Sequence, residues 1–568
     1  MANTLTLTSQ KVQPGHLLKN RELVLLVDGK RYDDYLSHYE RINCLKKAMA
    51  EFDAELQSVA EQFKNHPYGA YLWLYTPDFI RGEEIAGLYR KMYLGAIIRY
   101  LTMEKGYDKI CIDIPASTYE CNFLKQIPIE VTFNRTSIVI NSVNNLLRNI
   151  KQLYKTFTFN SKSLLQKPNP AFTGALIDTS SRYAKNRYDD IKKVVGAFNN
   201  QVKFYSGDQI AVSGCPSDQA IVFKRELTLK IFISSLRESF RISRFIARNK
   251  ANIPIGLYNN HKGFFKMMLY WDLVLSQKSI DKYLNKSDIK TIVQVSTLTK
   301  PVYRSLAVAA KQRNILFVQV ASRSLMIYRC SERLLKCDIE EYNKTAIPNW
   351  FIFKDKSSTR IFDAYPQIME RVLIGGRFKG QDSLEKDLNT KPVAILLLFN
   401  HRKDLSYKLL AEVKASGIQK LVSTIIIRCH PSFVFENKVL QDAFPTNNLI
   451  DITGKDYSAV KAYRLLTISG PTTAAMDVIQ FGAIVLWASY IWDEGILMEE
   501  MMQNVGSICN SFFEIGSQTQ AYLNDNLMFY NKIAEDLTYI HKYFTPKVLI
   551  SEQIAFINLK SHESVSKG

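Results

Sequence analysis

Leu466-Thr467-Ile468-Ser469-Gly470-Pro471-Thr472-Thr473-Ala474-Ala475-Met476-Asp477 reads as a short apolar strand that turns sharply at Gly470-Pro471 into a helix. Proline is tolerated in a first helical turn, where the N–H has no intrahelical partner anyway. Unpaired amides and the positive end of the helix dipole suit such a junction to an anion, and Thr472 and Thr473 add hydroxyl donors. The plainer alternative is that Ser469 or Thr472 is an N-cap. About forty residues earlier, Thr424–Arg428 is a second apolar strand, running into Arg428-Cys429-His430-Pro431-Ser432. An arginine and a histidine at a strand's carboxyl end, stiffened by Pro431, can both donate to a phosphate. A lone histidine there would more simply cap or fill a loop.

Around this pair the pattern alternates. Strands are expected at 393–399, 449–452 and 484–487, and helices at 405–416, 458–465 and 472–481. The first half repeats the alternation: strands at 23–27, 71–75, 110–114, 175–177, 292–295 and 315–320, and helices at 39–63, 84–105 and 301–313. Short apolar strands alternating with longer amphipathic helices predict parallel sheets wrapped by helices. The expected fold class is therefore α/β, with two Rossmann-like doubly wound domains facing a cleft. Residues 1–343 form the first domain, 344–391 a connector, 392–517 the second domain, and 518–568 a helical tail packing back on the first. Ligands in such folds sit beyond the carboxyl ends of the strands.

Composition narrows the function. In 568 residues, 46% hydrophobic and 23% charged, disorder is excluded as the general state. No apolar run reaches the ~18–20 residues of a membrane span, and residues 1–10 show no secretory signal, so a cytoplasmic location is expected. Eight cysteines without a C-x-x-C pair suggest reduced thiols rather than a disulfide scaffold or a zinc site. A net charge of +20 draws the chain to polyanions: nucleic acid, an anionic membrane face or phosphorylated substrates. No phosphate loop, G-x-G-x-x-G, H-E-x-x-H, G-x-S-x-G or D-x-D is present. Phosphate binding by basic side chains and backbone amides, with no metal and no cofactor, is the expectation.

Arg428-x-His430-Pro431, Asp456-Tyr457-Ser458-Ala459-Val460, the Ser469–Asp477 run and Gln480-Phe481-Gly482 together resemble the nucleotide-binding half of GT-B glycosyltransferases of bacterial surface polysaccharide assembly. Among these the chain looks most like the capsule and lipopolysaccharide transferases that use CMP-linked 2-keto sugar acids such as Kdo or sialic acid. The resemblance covers roughly residues 292–500. It implies a GT-B fold and a glycosyltransferase moving a sugar from a nucleotide-sugar donor to a glycan or lipid-linked glycan acceptor. It also implies that Arg428, His430, Ser469, Gly470, Thr472 and Thr473 hold the donor phosphate, and that Asp493 and Glu494 lie near its ribose or sugar. The chain departs from the family at Gln294-Val295-Ser296-Thr297 and Gln319-Val320, where an acidic residue and a histidine are common. CDP-alditol phosphotransferases of teichoic-acid-like polymers share a similar layout and give the alternative activity. A non-enzymatic basic binding protein on a decayed transferase fold is the third.

Transfer to a hydroxyl needs a carboxylate as base or nucleophile. Asp28, Asp113 and Asp178 each follow a strand of the first half, and Asp178 opens the polar loop Asp178-Thr179-Ser180-Ser181-Arg182. Asp178 and His430 are the catalytic candidates. Arg237, Arg241, Arg244 and Arg248 fall at helical spacing on one face, with Phe240 and Phe245 beside them. They are expected to bind an acidic acceptor or hold the protein peripherally on the inner face of the plasma membrane. No recognition helix, zinc finger or RNA-binding aromatic signature accompanies them, so nucleic acid is not expected.

Overall fold

The computed structural model describes residues 4–8, 23–26, 38–73, 88–105, 109–113, 130–133, 147, 150, 151, 154, 156–178, 188–196, 201–206, 220–254, 258, 264–295, 301–320, 347–353, 359, 366–374, 390–400, 403–430, 433–455, 457–470, 472, 474–489, 499–544 and 552–557. Three sheets carry these residues, and every strand pair in them is parallel. The first sheet is built from β1 (Thr4–Thr8), β2 (Leu23–Leu26), β3 (Lys109–Asp113) and β4 (Glu130–Phe133) in the order β2-β1-β3-β4. Helices α1 (His38–Phe63) and α2 (Leu88–Lys105) lie between its strands in sequence and pack on each other. Cys44, Ala48, Leu56 and Ala96, Ile97, Leu101 are the buried faces.

The second sheet has seven strands: β5 (Thr173–Asp178), β6 (Val202–Ser206), β7 (Ala220–Val222), β8 (Asp288–Gln294), β9 (Leu316–Val320), β10 (Trp350–Phe353) and β11 (Val372–Ile374). Their order is β11-β10-β9-β8-β5-β6-β7. Between β7 and β9 run α3 (Leu229–Arg248), α4 (Phe264–Lys286) and α5 (Pro301–Lys311). Thr228 caps α3, its hydroxyl accepting from Ile231 N at 3.3 Å.

The third sheet has six: β12 (Val393–Leu398), β13 (Thr424–Arg428), β14 (Asn448–Asp451), β15 (Arg464–Ser469), β16 (Ile484–Ala488) and β17 (Ser507–Cys509). Their order is β14-β13-β12-β15-β16-β17. Helices α6 (Lys403–Ala415), α7 (Ala474–Ile479), α8 (Phe512–Asn524) and α9 (Asn526–Phe544) accompany it. Central strands such as Val-Ala-Ile-Leu-Leu-Leu in β12 are apolar at every position because both faces are covered.

The α/β class with two doubly wound sheets is what the alternation predicts, but the strands expected at 23–27 and 110–114, read as part of one domain over 1–343, lie in a separate four-stranded sheet; the other differences are local. Tyr71 and Leu72, expected in a strand, lie in the short helix Ala70–Trp73 and are buried. The helix expected at 458–465 is a single 3₁₀ turn, Ser458–Ala462, because Arg464 already begins β15. The stretch expected as a connector supplies β10 and β11, which extend the second sheet. The tail divides. Helices α8 and α9 cover the third sheet through Ile515, Tyr522, Phe529 and Ile533, whereas Ile554 and Ile557 join the core of the second sheet beside Val293 and Ile352. Gln553 fixes that crossing by donating to Ile374 O at 2.6 Å. Arg464 secures the other part: it donates to Tyr522 O at 2.7 Å and to Asn526, and lies 4.1 Å from the Phe529 ring centre.

On α1, burial pushes the Glu55 carboxyl up from its ordinary 4.5 to about 7, helped by the neighbouring charge of Glu51. A carboxyl raised in the folded state contributes stability that is complete below pH 4.5 and lost as pH rises through about 7. Glu55→Gln is expected to raise the melting temperature at pH 8 and to leave it nearly unchanged at pH 4. Parallel thermal melts at the two pH values check this.

Candidate active site

Counted in chain order, the third sheet runs 3-2-1-4-5-6 and the second runs 7-6-5-4-1-2-3. In both, the first strand is central and the chain winds outward from it to either side. The crossover loops therefore diverge at the carboxyl end of that strand and leave a crevice, where ligands of open α/β sheets bind. In the third sheet this crevice lies between β12 and β15. Register pairs Leu398 with Arg428 on one side and with Ser469 on the other. Arg428 and Ser469 thus flank the switch point, and His430 follows two residues beyond β13.

Tyr457 joins the two loops. The Arg428 guanidinium lies 4.0 Å from the Tyr457 ring centre and donates one of its N–H groups to Lys455 O at 2.7 Å. The Tyr457 hydroxyl reaches Ala474 O, at the start of α7, at 3.5 Å. Its ring lies 6.0 Å from that of Phe481, over which Lys461 sits at 5.3 Å. Arg428 has five N–H donors in a planar fork, so stacking on Tyr457 fixes the plane in which the others point. His430 is exposed, and its carbonyl accepts from Phe433 N at 2.9 Å. Phe399, Tyr407 and Phe433 each meet Phe435 edge-on, Tyr407 lies tilted against Phe433, and the cluster holds that loop to β12 and α6.

The strand-to-helix junction differs in detail from expectation. Ser469 is fully buried and its hydroxyl donates to Gly470 O at 2.7 Å, so its proton braces the turn rather than facing a ligand. Thr472 takes the capping role, its hydroxyl accepting from Ala474 N at 3.3 Å. The helix is shorter than 472–481: α7 ends at Ile479, and Gly482, with φ 76°, turns the chain back into β16. Thr473, Asp493 and Glu494, together with Pro431 and Asp456, lie outside the described residues.

At the corresponding switch of the second sheet, between β5 and β8, Asp178 ends its strand with no solvent exposure. Gln294, at the end of β8, donates to Asp178 Oδ2 at 2.9 Å and accepts from the Tyr205 hydroxyl. Burial, then the Asp178 charge, then Tyr303 push the Tyr205 hydroxyl well above its usual range, so it stays a donor. The residues that organise this point, Tyr205 and Gln294, carry no motif. Tyr205 has as its sequence signal only a polar side chain near the end of an apolar strand, and Gln294 has in addition its departure from the family pattern. The loop from 179 lies outside the described residues.

Among the described residues, no three His, Cys, Asp or Glu side chains group as metal ligands do, and no helix is long and apolar enough to cross a membrane. Arg237, Arg241, Arg244 and Arg248 are all exposed on α3. Phe245 is not beside them at the surface: it is buried, stacked on His66 at 4.0 Å and edge-on to Phe63 at 5.4 Å. Only Phe240 of the pair faces solvent.

No family model matches the chain, and no curated protein matches it. Solved structures resemble it in outline. A glycosyltransferase from Rickettsia africae shares 10% identity over 70% of this chain and 99% of its own, with a TM-score of 0.38. The wall teichoic acid polymerase TagF shares 12% over 75% of this chain and 98% of its own, at 0.35. A structure of accessory secretory proteins 1, 2 and 3 of Streptococcus pneumoniae shares 11% over 52% of this chain, at 0.31, and the match spans 58% of that chain. The fold stands on the strand order given above.

Gln294→Leu removes a donor from Asp178 and an acceptor from Tyr205 in a fully buried row. The expected cost is about 1–3 kcal/mol of unfolding free energy. Denaturant titration against the parent chain measures it.

Proposed function

We propose that the protein is a GT-B glycosyltransferase that moves a sugar from a nucleotide-activated donor to a surface polysaccharide acceptor. The best fit to its motifs is a CMP-linked 2-keto sugar acid as donor. One observation carries the reading: a stacked arginine, an exposed histidine and a capped strand-to-helix turn converge on the switch point of a 3-2-1-4-5-6 sheet. Glycosyl transfer breaks the bond from the anomeric carbon to the donor phosphate, and the departing phosphate gains negative charge. Arg428 and His430 neutralise that charge, with donors from the Gly470–Thr473 turn, and no metal is required. The Tyr457 stack keeps the Arg428 fork oriented before the donor arrives, which lowers the reorganisation cost.

Asp178 is the proposed base, taking the proton of the acceptor hydroxyl as it attacks. Asp493 and Glu494 are the proposed contacts to the donor's ribose or sugar. Acceptors of this class are glycans or lipid-linked glycans, and the site of action is the cytoplasmic side of the plasma membrane.

Donor hydrolysis and transfer assays test the reading. His430→Ala and Arg428→Ala are each expected to lower turnover about 10²–10³-fold, the range for removing one donor to a developing oxyanion. Near-normal rates in both overturn the assignment. Asp178→Asn keeps the shape of the buried row, so it is expected to fold while losing transfer and retaining donor binding. A thermal-shift panel of CMP, CDP, UDP and GDP reads the nucleotide: stabilisation by CMP and not by UDP supports the ulosonic-acid donor. Stabilisation confined to CDP and CDP-glycerol moves the assignment to alditol phosphate transfer.

A further inference from the structure

Helix α3 is amphipathic twice over. Its inner face, with Ser235, Ser239, Ile242 and Ile246 buried, packs on α4. Its outer face is itself divided. At 3.6 residues per turn, Leu229, Ile233, Phe240 and Ala247 fall within about 40° of one another, and Arg244, Arg237, Arg248 and Arg241 occupy the next ~60°. The apolar strip is well exposed, at 66% for Leu229, 54% for Ile233 and 55% for Phe240. The only acid on the helix, Glu238, is turned inward to Lys278 of α4 at 2.8 Å. The outer face therefore presents a row of cations beside a row of bare hydrocarbon, with no carboxylate on either.

A second helical stretch carries an apolar strip of its own. Helical residues Leu147, Ile150, Tyr154 and Phe157 recur at intervals of three, four and three, the spacing of one helix face, and all four are exposed. This stretch docks beside the apolar margin of α3, not its arginine margin: Phe157 lies 6.2 Å from Phe232, and both meet Trp271 of α4. Exposed apolar side chains of this stretch therefore begin, at Phe157, beside the margin of α3 opposite its arginines. Soluble surfaces rarely leave two neighbouring helix faces apolar and uncovered.

We infer that this face is a docking surface for an anionic lipid bilayer. The arginines lie at headgroup level, while Phe240, Ile233 and Tyr154 enter the acyl boundary. Charge complementarity selects the occupant: each Lys or Arg held near an anionic leaflet adds to binding, and the adjoining hydrocarbon contributes by burial. A protein partner would need acidic groups along one margin only. Single-stranded nucleic acid would leave aliphatic Leu147, Ile150 and Ile233 without a function, since stacking uses aromatic rings. The inference is independent of the reaction, because it rests on no residue of the candidate active site.

The test is co-sedimentation of the full chain with vesicles of phosphatidylcholine alone or of phosphatidylcholine mixed equally with phosphatidylglycerol. Binding is expected only to the mixed vesicles, weakening with salt. Reversing Arg237, Arg241, Arg244 and Arg248 to Glu is expected to weaken it at least about tenfold. Reversing the exposed Lys46, Lys47, Lys420 and Lys438, which changes the net charge equally, is expected to leave it largely intact. Phe240→Trp, read over the five native tryptophans, is expected to add a blue-shifted emission when mixed vesicles are present. This third readout holds even where the arginine variant fails to fold. Equal loss in both charge reversals, or no shift at position 240, overturns the inference. So does arginine-dependent RNA binding without vesicle binding.

Discussion

The constraint on which the rest depends is the direction in which the chain leaves the central strands β5 and β12. Parallel strands are joined by crossovers that are almost always right-handed, so moving outward to one side places the connecting helix on one face of the sheet. Moving outward to the other side places it on the opposite face. Where the two directions meet, no crossover covers the strand ends. Both large sheets reverse in this way at their first strand. The crevice is thus a consequence of strand order, before any particular side chain is considered.

Polar groups have collected at both reversals, handled differently. In the second sheet they are bonded to one another: Tyr205, Gln294 and Asp178 form a row in which each hydrogen bond fixes the next. In the third sheet they are held open. Arg428 is only half-buried and, among the described residues, is held by an aromatic face and a backbone carbonyl rather than by a carboxylate. A carboxylate partner would already satisfy the guanidinium, whereas a tyrosine ring orients it and preserves its affinity for an anion. The two reversals therefore differ: one holds a buried, hydrogen-bonded carboxylate and the other a half-buried, ring-stacked arginine.

The C-terminal region ties these sheets to one chain. Arg464 fastens α8 and α9 over the third sheet, and the following segment carries Ile554 and Ile557 into the core of the second. Gly506 makes the entry into β17 possible: with φ +73° and Val485 O of the neighbouring β16 only 2.2 Å from where a Cβ would stand, no side chain fits. Its N–H donates to both Asp536 oxygens of α9, at 3.1 and 3.0 Å, which anchors the last strand to the last long helix.

Much of this is legible in the sequence. The run Val393–Leu398 is apolar at every position and Thr424–Arg428 carries three successive isoleucines. Short runs like these, flanked by helical patterns, fit buried parallel strands and mark the third sheet and the two loops that leave it. The sequence likewise placed Arg428, His430 and Thr472 at the ends of those elements. It did not reveal short strands such as Ala220–Val222 and Ser507–Cys509, whose length leaves no period to detect. Nor did it separate Phe240 from Phe245: both lie near the arginines by spacing, and only the packing of His66 and Phe63 against α3 buries one and leaves the other in solvent. The same holds for Ser469 and Gln294. Local sequence determines which segments become strands and helices, because periodicity and propensity act over a few residues. Which polar group is buried and bonded and which stays half-exposed depends on contacts that periodicity does not show: Gln294 meets Asp178 across 116 residues, and Arg428 meets the ring of Tyr457 from another loop, and these were decided only when the sheets assembled.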